Sequence, residues 1–152
     1  MAVRKAYTIG FTKHKASEFF GTLKKAEIKR LIDVRLNNSS QLAGFSKRED
    51  LPFFLWELCR AEYSHNALLV PSQELLANYR KKRISWHEYK SHFLKLMVER
   101  KVEEKIPQEL FDIPTVLLCS EPTAERCHRR LGLEYLSDKW GNLQIHHLEG
   151  PV

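Results

Sequence analysis

Apolar positions along the chain switch between a period of two or an unbroken run and the spacing of a helix face. Residues 6–9 are mostly apolar and stop at Gly10, which predicts a first strand. Residues 28–34 end in β-branched and apolar side chains, which predicts a second, buried strand. Between them, apolar residues recur at i, i+3, i+4 and i+7, the pattern of one helix face. They are Ala16, Phe19, Phe20 and Leu23.

Four further segments are predicted to be helices from capping residues, proline and apolar spacing. They are one opened by the capping box of Ser46 and Glu49, one from Pro71 to about Tyr79, one opened by Ser85 and Glu88, and one from about Thr123 to Ser137. Pro52 lies inside the apolar pattern of the first of these, so it must kink that helix or move its start closer to itself. The aromatic stripe after Ser85 has helical spacing, which favours a role in the core over base stacking.

Three more segments have the character of strands. Residues 63–66 form a short strand or an extended loop, and residues 115–119 and 143–147 form the last two strands. Strands that alternate with helices are typical of a mostly parallel sheet covered on both faces. We therefore predict one compact α/β domain over residues 1–152, with about five strands and helices on both faces of the sheet.

Composition restricts the classes of protein that the chain can represent. A length of 152 residues fits one domain. No apolar run approaches the ~20 residues that span a bilayer, and the start lacks the apolar core of a signal peptide. Three cysteines are too few, and odd in number, for a disulfide scaffold. We expect a cytoplasmic protein without membrane association, and we make no prediction of its oligomeric state.

The net charge is +6, and basic residues are spread along the chain in pairs, with one longer run over residues 80–83. A basic surface attracts polyanions or acidic ligands. Solvated helix faces account for many of these pairs. A non-catalytic DNA- or RNA-binding module therefore remains an alternative to an enzyme.

The carboxyl ends of the predicted strands carry the residues with chemical potential, and ligands of parallel sheets bind at that edge. The candidates are Gly10 and His14 after the first strand, Asp33 and Arg35 after the second, and Cys119, Glu121, Cys127, His128 and Arg129 around the fourth. Asp33 and Arg35 are two residues apart and point to one side, as an oriented arginine or as a simple ion pair.

Cys119 ends the clearest buried strand and is followed closely by a predicted helix. A helix N-terminus favours thiolate and can hold an anion, so Cys119 is a candidate nucleophile, with a plain buried strand residue as the alternative. Glu121 or His128 would move protons, while Arg35 and Arg129 would clamp phosphate or carboxylate. Six residues separate Cys119 from Arg126, one too many for the Cys-x5-Arg loop of tyrosine phosphatases. Because no metal ligands are paired at short spacing, we predict no metal site.

Several motifs in this order resemble the bacterial and archaeal domain-of-unknown-function family numbered 488. They are Tyr7-Thr8-Ile9-Gly10, Asp33-Val34-Arg35, Phe45-x-Lys47, Ile84-x-Trp86-x-x-Tyr89, Leu117-Leu118-Cys119-x-Glu121 and Cys127-His128-Arg129. The resemblance implies a compact α/β domain with a cluster of Asp33, Arg35, Cys119, Glu121, Cys127, His128 and Arg129, and no settled activity. Two features depart from the family: Phe11 stands where histidine is common, and residues 67–71 replace a glycine-containing stretch.

The leading hypothesis from the sequence is an anion-binding pocket at the carboxyl edge of the sheet. It would belong to an enzyme that acts on a nucleotide, a nucleic-acid end or another phosphorylated ligand. Arg35 and Arg129 must then approach the same hollow, and Cys119 must lie beside it. The sequence does not identify a cofactor.

Overall fold

The computed structural model describes residues 3–11, 15–36, 49–119 and 126–148. These residues contain five strands, all of them parallel, which confirms the predicted α/β class. The strands are β1 (Arg4–Gly10), β2 (Arg30–Asp33), β3 (Glu62–His65), β4 (Thr115–Cys119) and β5 (Leu143–His147).

Six α-helices connect the strands within the described residues. They are α1 (Ala16–Lys25), α2 (Leu51–Cys59), α3 (Gln73–Arg80), α4 (Trp86–Arg100), α5 (Val102–Lys105) and α6 (His128–Trp140), with 3-10 turns at Ala67–Leu69 and Gln108–Phe111. Among the described segments, no helix is long and apolar enough to cross a membrane.

Two helices begin where the capping residues and prolines in the sequence predict. Pro52 occupies the first turn of α2, where its missing N–H costs nothing, so the helix starts beside the proline. Ser85 and Glu88 form the predicted capping box of α4. Ser46, the predicted cap before α2, lies outside the described residues.

The prediction of a helix from about Thr123 was wrong where it can be compared with the structure. Arg126 is in a turn and Cys127 is the extended N-cap, so α6 begins at His128 and runs on to Trp140. Cys127 is therefore outside the helix, although its side chain is buried.

The sheet has the order β3-β2-β4-β1-β5. The two central strands β4 and β1 pair so that Gly10 lies opposite Cys119. On the other side of β4, Asp33 of β2 lies opposite Leu118. Gly10, Cys119 and Asp33 thus all reach the carboxyl edge of neighbouring strands, as the sequence predicted.

Successive residues of each strand point to opposite faces of the sheet, and each face has its own core. Helices α1 and α2 pack on one face, here called the α1/α2 face, against Ile9, Leu31, Val116 and Leu118. Helices α3 to α6 pack on the other, the α4/α6 face, against Ala6, Ile32 and Leu117. The expectation of helices on both faces is therefore confirmed.

The aromatic stripe of α4 belongs to the second of these cores. Trp86 stacks on Tyr89, and Tyr89 stacks on Phe93, with ring centroids 5.5 and 6.3 Å apart. Tyr89 and Phe93 are buried, so neither ring is available to a base, as the helical spacing indicated.

Candidate functional site

Asp33 and Arg35 form a buried ion pair just beyond the end of β2. Arg35 donates from Nε to Asp33 Oδ1 and from Nη2 to Asp33 Oδ2, each over 2.9 Å. The Arg35 backbone N–H donates to the same carboxylate over 3.0 Å, and Tyr63 Oη donates over 2.7 Å. Asp33 is 0% exposed and Arg35 is 3% exposed. A carboxylate that accepts this many bonds fixes both the guanidinium and the backbone after β2.

This pair lies on the α1/α2 face. The Arg35 guanidinium stands 5.2 Å from the ring centroid of Phe11, and Phe11 belongs to the core of that face. Phe11 thus provides an aromatic surface for the buried cation. His65 at the end of β3 contacts the Arg35 carbonyl oxygen through Nε2 over 3.1 Å.

Cys119, Cys127 and Arg129 form a second buried group at the carboxyl end of β4. Arg129 donates from Nη1 to Cys119 Sγ over 2.9 Å and approaches Cys127 Sγ at 3.8 Å. The two sulfur atoms are in contact. The Cα atoms of the cysteines are 7.8 Å apart, which exceeds the separation that a disulfide spans without backbone movement. In the reduced protein the two side chains are neighbouring thiols.

The α4/α6 face supports this second group. Cys119 ends β4, Cys127 caps α6, and Arg129 is the second residue of that helix. Both cysteines belong to the core of the α4/α6 face. The N-terminus of α6 and the Arg129 guanidinium both favour negative charge on the Cys119 sulfur.

His128 connects the two groups through the backbone. Its Nε2 lies 2.7 Å from the Val34 carbonyl oxygen, so Nε2 carries a proton and donates it to that bond. Burial lowers the pKa of His128 to about 4; the Val34 bond partly opposes this and Arg129 adds to it. The imidazole is therefore neutral near pH 7 and tethers α6 to the residue between Asp33 and Arg35.

Among the described residues, the sequence-predicted residues form two groups. Asp33 and Arg35 lie on the α1/α2 face, whereas Cys119, Cys127 and Arg129 lie on the α4/α6 face. Gly10 lies beside Cys119 in the adjacent strand. His14 and Glu121 lie outside the described residues.

Two contributors to the site were not predicted from the sequence. Tyr63 bonds to Asp33, and Phe11 lies against Arg35. Tyr63 pairs with Leu31, so its side chain reaches the face of Asp33 only because β3 joins β2 in that register. A single tyrosine in a four-residue strand gives no signal of this kind until the pairing is known.

The comparison with known protein families bears on the same part of the chain. No curated protein and no solved structure matches it. The family described as "Domain of unknown function DUF488" matches residues 15–136, which is 122 of the 152 residues. That range includes both the Asp33–Arg35 pair and the group around Cys119. The chain therefore belongs to the DUF488 family.

Proposed function

We propose that this protein is a thiol-dependent enzyme that acts on an anionic, phosphorylated ligand at the carboxyl edge of its sheet. The proposal rests on one observation, the 2.9 Å contact from Arg129 Nη1 to Cys119 Sγ. A guanidinium that donates to sulfur stabilises the thiolate, which is the nucleophilic form of cysteine. The net charge of +6 supports a ligand of high negative charge, such as a nucleotide or a nucleic-acid end.

Burial strengthens the interaction between Arg129 and the sulfur. Arg129 is fully buried, and a buried cation is stable only when negative charge or hydrogen-bond acceptors compensate it. A thiolate at Cys119 would contribute to this compensation at contact distance. The same argument explains why an arginine stands at the start of α6, where the helix dipole alone disfavours a cation.

The reaction that fits this group is transfer of a phosphoryl group to sulfur. The Cys119 thiolate attacks phosphorus, an S–P bond forms, and the P–O bond to the leaving group breaks with its electron pair on oxygen. That oxygen takes a proton, for which we propose Glu121. Water then attacks phosphorus and gives a proton to the Glu121 carboxylate, the S–P bond breaks with its electron pair on sulfur, and phosphate and the Cys119 thiolate are released. Arg129 and the N-terminus of α6 balance the charge of the transferred group.

The other residues have positioning roles in this proposal. Asp33 already holds Arg35 through two bonds, so Arg35 organises the backbone after β2 and contributes less to anion binding than Arg129. His128 is neutral near pH 7 and bonds to Val34, so it fixes the start of α6 rather than transferring protons. Gly10 and His14 stay predicted contributors to ligand binding from β1 and the segment after it.

Alkylation of Cys119 by iodoacetamide as a function of pH tests the proposal. We expect the pH midpoint of its reaction to lie below the value of about 8.5 for a free cysteine. Burial raises the pKa of Cys59, so Cys59 serves as an internal reference that reacts at higher pH. Mass spectrometry of peptides separates the sites. An ordinary midpoint at Cys119 would remove its role as nucleophile.

The matched variants are Arg129→Gln and Arg130→Gln, two identical changes at adjacent positions of α6. Arg130 forms an ion pair with Glu134 and is partly exposed. We expect Arg129→Gln to raise the midpoint of Cys119 alkylation and Arg130→Gln to leave it unchanged. If Arg129→Gln does not fold, Arg129→Lys keeps the charge and tests whether the fork of donors is needed. Equal midpoints in all folded variants would contradict the proposal.

A non-catalytic nucleic-acid-binding module is the second candidate, and one surface favours it. Arg80, Lys81, Lys82 and Arg83 are consecutive and all exposed at the end of α3. Four adjacent cations on an open surface match the geometry of phosphate-backbone contacts. One member of this surface, Arg80, is close enough to His128 to lower its pKa, so the surface adjoins the start of α6.

Salt-dependent binding to a labelled single-stranded or duplex oligonucleotide distinguishes this candidate. Neutralising Lys81, Lys82 and Arg83 to Gln should weaken binding at least about tenfold and flatten its salt dependence, since about three phosphate contacts are lost. The control makes the same charge change at three other exposed lysines, Lys95, Lys101 and Lys105. Equal effects of the two triple variants, or the absence of binding at micromolar protein, would exclude a dedicated surface at the end of α3.

A further inference from the structure

We infer that the outer face of α2 is an interface between two copies of this chain. Helix α2 is apolar on nearly every side, and three of its large apolar side chains are exposed. Phe53 is 62% exposed, Trp56 is 52% exposed and Leu58 is 44% exposed. A helix that is apolar all round is normally covered on more than one side.

The position of these side chains on the helix follows from the buried ones. Leu51, Leu55 and Cys59 form the face of α2 that packs on the sheet. The opposite face consists of positions spaced i, i+3, i+4 and i+7. They are Phe53, Trp56, Glu57 and Arg60. The Arg60 guanidinium stands 5.4 Å from the ring centroid of Trp56, which confirms that these two share the face.

A groove continues this face towards α1. It has a volume of about 340 Å³, and the residues that line it include Phe20, Gly21, Lys24, Phe54 and Leu58. The Phe54 ring lies between the groove and the outer face, 5.9 Å from Phe20 and 5.5 Å from Phe53. Gly21 leaves open space beside α1, since a Cβ at this position would have no atom within 4 Å. The exposed aromatic side chains of α2 and the groove beside them thus occupy adjacent parts of one surface.

The charges on the outer face select a second copy as the occupant. The face has one acidic residue, Glu57, and one basic residue, Arg60, spaced i, i+3 beside the exposed tryptophan, so these two charges cancel. A polyanion or an acidic peptide would meet an unfavourable carboxylate there. Two α2 helices that cross antiparallel about a two-fold axis place Arg60 of one copy near Phe53 and Glu57 of the other. Isologous pairing of this kind satisfies both charges at once.

The exposed area fits a weak dimer. Phe53 and Trp56 on the outer face and Leu58 on the groove side of α2 together offer about 300 Å² of apolar surface per copy, given 150–250 Å² for a large aromatic side chain and less for leucine. Two copies would cover about 600 Å², which is the apolar part of an interface of roughly 1,000–1,200 Å². Interfaces of this size are at the lower end of specific association. We therefore expect a dissociation constant in the micromolar range.

Sedimentation velocity of the full chain from about 1 to about 200 µM tests the inference. We expect the weight-average mass to rise from monomer towards dimer. Phe53→Glu with Trp56→Glu should raise the dissociation constant at least about tenfold, because charge replaces the apolar centre of the interface. Val98→Glu is the control, since Val98 is 57% exposed on α4, away from this face.

Two outcomes would overturn the inference. One is a monomer at every concentration. The other is a dimer that the α2 double variant and the Val98 variant affect equally, which would place the interface on another surface. Because the substituted side chains are exposed, circular dichroism should show that each variant keeps its fold. The result does not depend on the chemistry proposed for Cys119.

Discussion

Replacing Asp33 with Asn will lower the free energy of unfolding by about 3–5 kcal/mol. Asp33 is fully buried and accepts bonds from two side-chain nitrogens and the backbone N–H of Arg35, and from Tyr63. The substitution removes the charge that balances a buried guanidinium while the guanidinium stays in place. Urea unfolding at neutral pH measures the change.

Asp112→Asn is the matched control for this variant. Asp112 also pairs with an arginine, Arg4, but its side chain is 54% exposed. Exposed ion pairs contribute at most about 1 kcal/mol, so we expect a small effect. A second variant, Arg35→Met added to Asp33→Asn, should recover part of the loss because it removes the unbalanced charge. Comparable effects of Asp33→Asn and Asp112→Asn would show that burial does not set the strength of the Asp33 pair.

The stability of the protein will fall on acidification through the titration of His128. Burial lowers the pKa of His128 from 6.5 to about 4 in the folded protein. Between these values the unfolded chain binds a proton that the folded chain excludes, so the free energy of unfolding decreases as the pH drops from about 6.5 to about 4. The contribution of neutral His128 to the free energy of unfolding is fully present above pH 6.5, and its total size is about 3 kcal/mol.

Unfolding of a His128→Asn variant at about pH 7 and about pH 5 isolates this contribution. Asparagine does not titrate, so the variant should lose about 2 kcal/mol less than the wild type on this shift. His87→Asn, at an exposed position of α4, should behave like the wild type. If His128→Asn and the wild type lose the same stability, His128 is not buried in its neutral form.

Much of the fold could be predicted because its signals are local. The alternation of strand-like and helix-like segments, the capping box of Ser85 and the position of Pro52 each depend on a few neighbouring residues. The start of α6 was harder to predict. Cys127 has an extended backbone at the N-cap and contacts Cys119, eight residues earlier, and helical spacing alone cannot anticipate such a contact.

The division of the candidate site between two faces depends on register. Asp33 pairs with Leu118 across β2 and β4, so these two side chains point to the same face of the sheet. Leu118 belongs to the core of the α1/α2 face, whereas Val34 and Cys119 belong to the core of the α4/α6 face. A shift of one residue would have placed Asp33 and Cys119 on the same face. The strand order and the register depend on residues far apart in the sequence. The sequence therefore predicted that these residues lie at the carboxyl edge of the sheet, but not which face of the sheet each one occupies.

Some information about burial was present in the sequence but ambiguous. Arg129 is followed at i+4 and i+7 by Leu133 and Leu136, an apolar face, whereas Arg130 is followed at i+4 by Glu134. That spacing indicates which of the two adjacent arginines faces the core, and the structure buries Arg129. The contact of its guanidinium with Cys119 still requires the end of β4 to be in place.

The strand order also constrains how the chain reaches its native state. β1 pairs with β4 and β5 and is separated by β4 from β2, the strand that follows it in sequence. The first strand therefore has no partner until more than a hundred further residues are available. Loop closure over such a distance is slow, and an unpaired apolar strand is prone to aggregate in the meantime. During synthesis, β1 remains unpaired until β4 has left the ribosome.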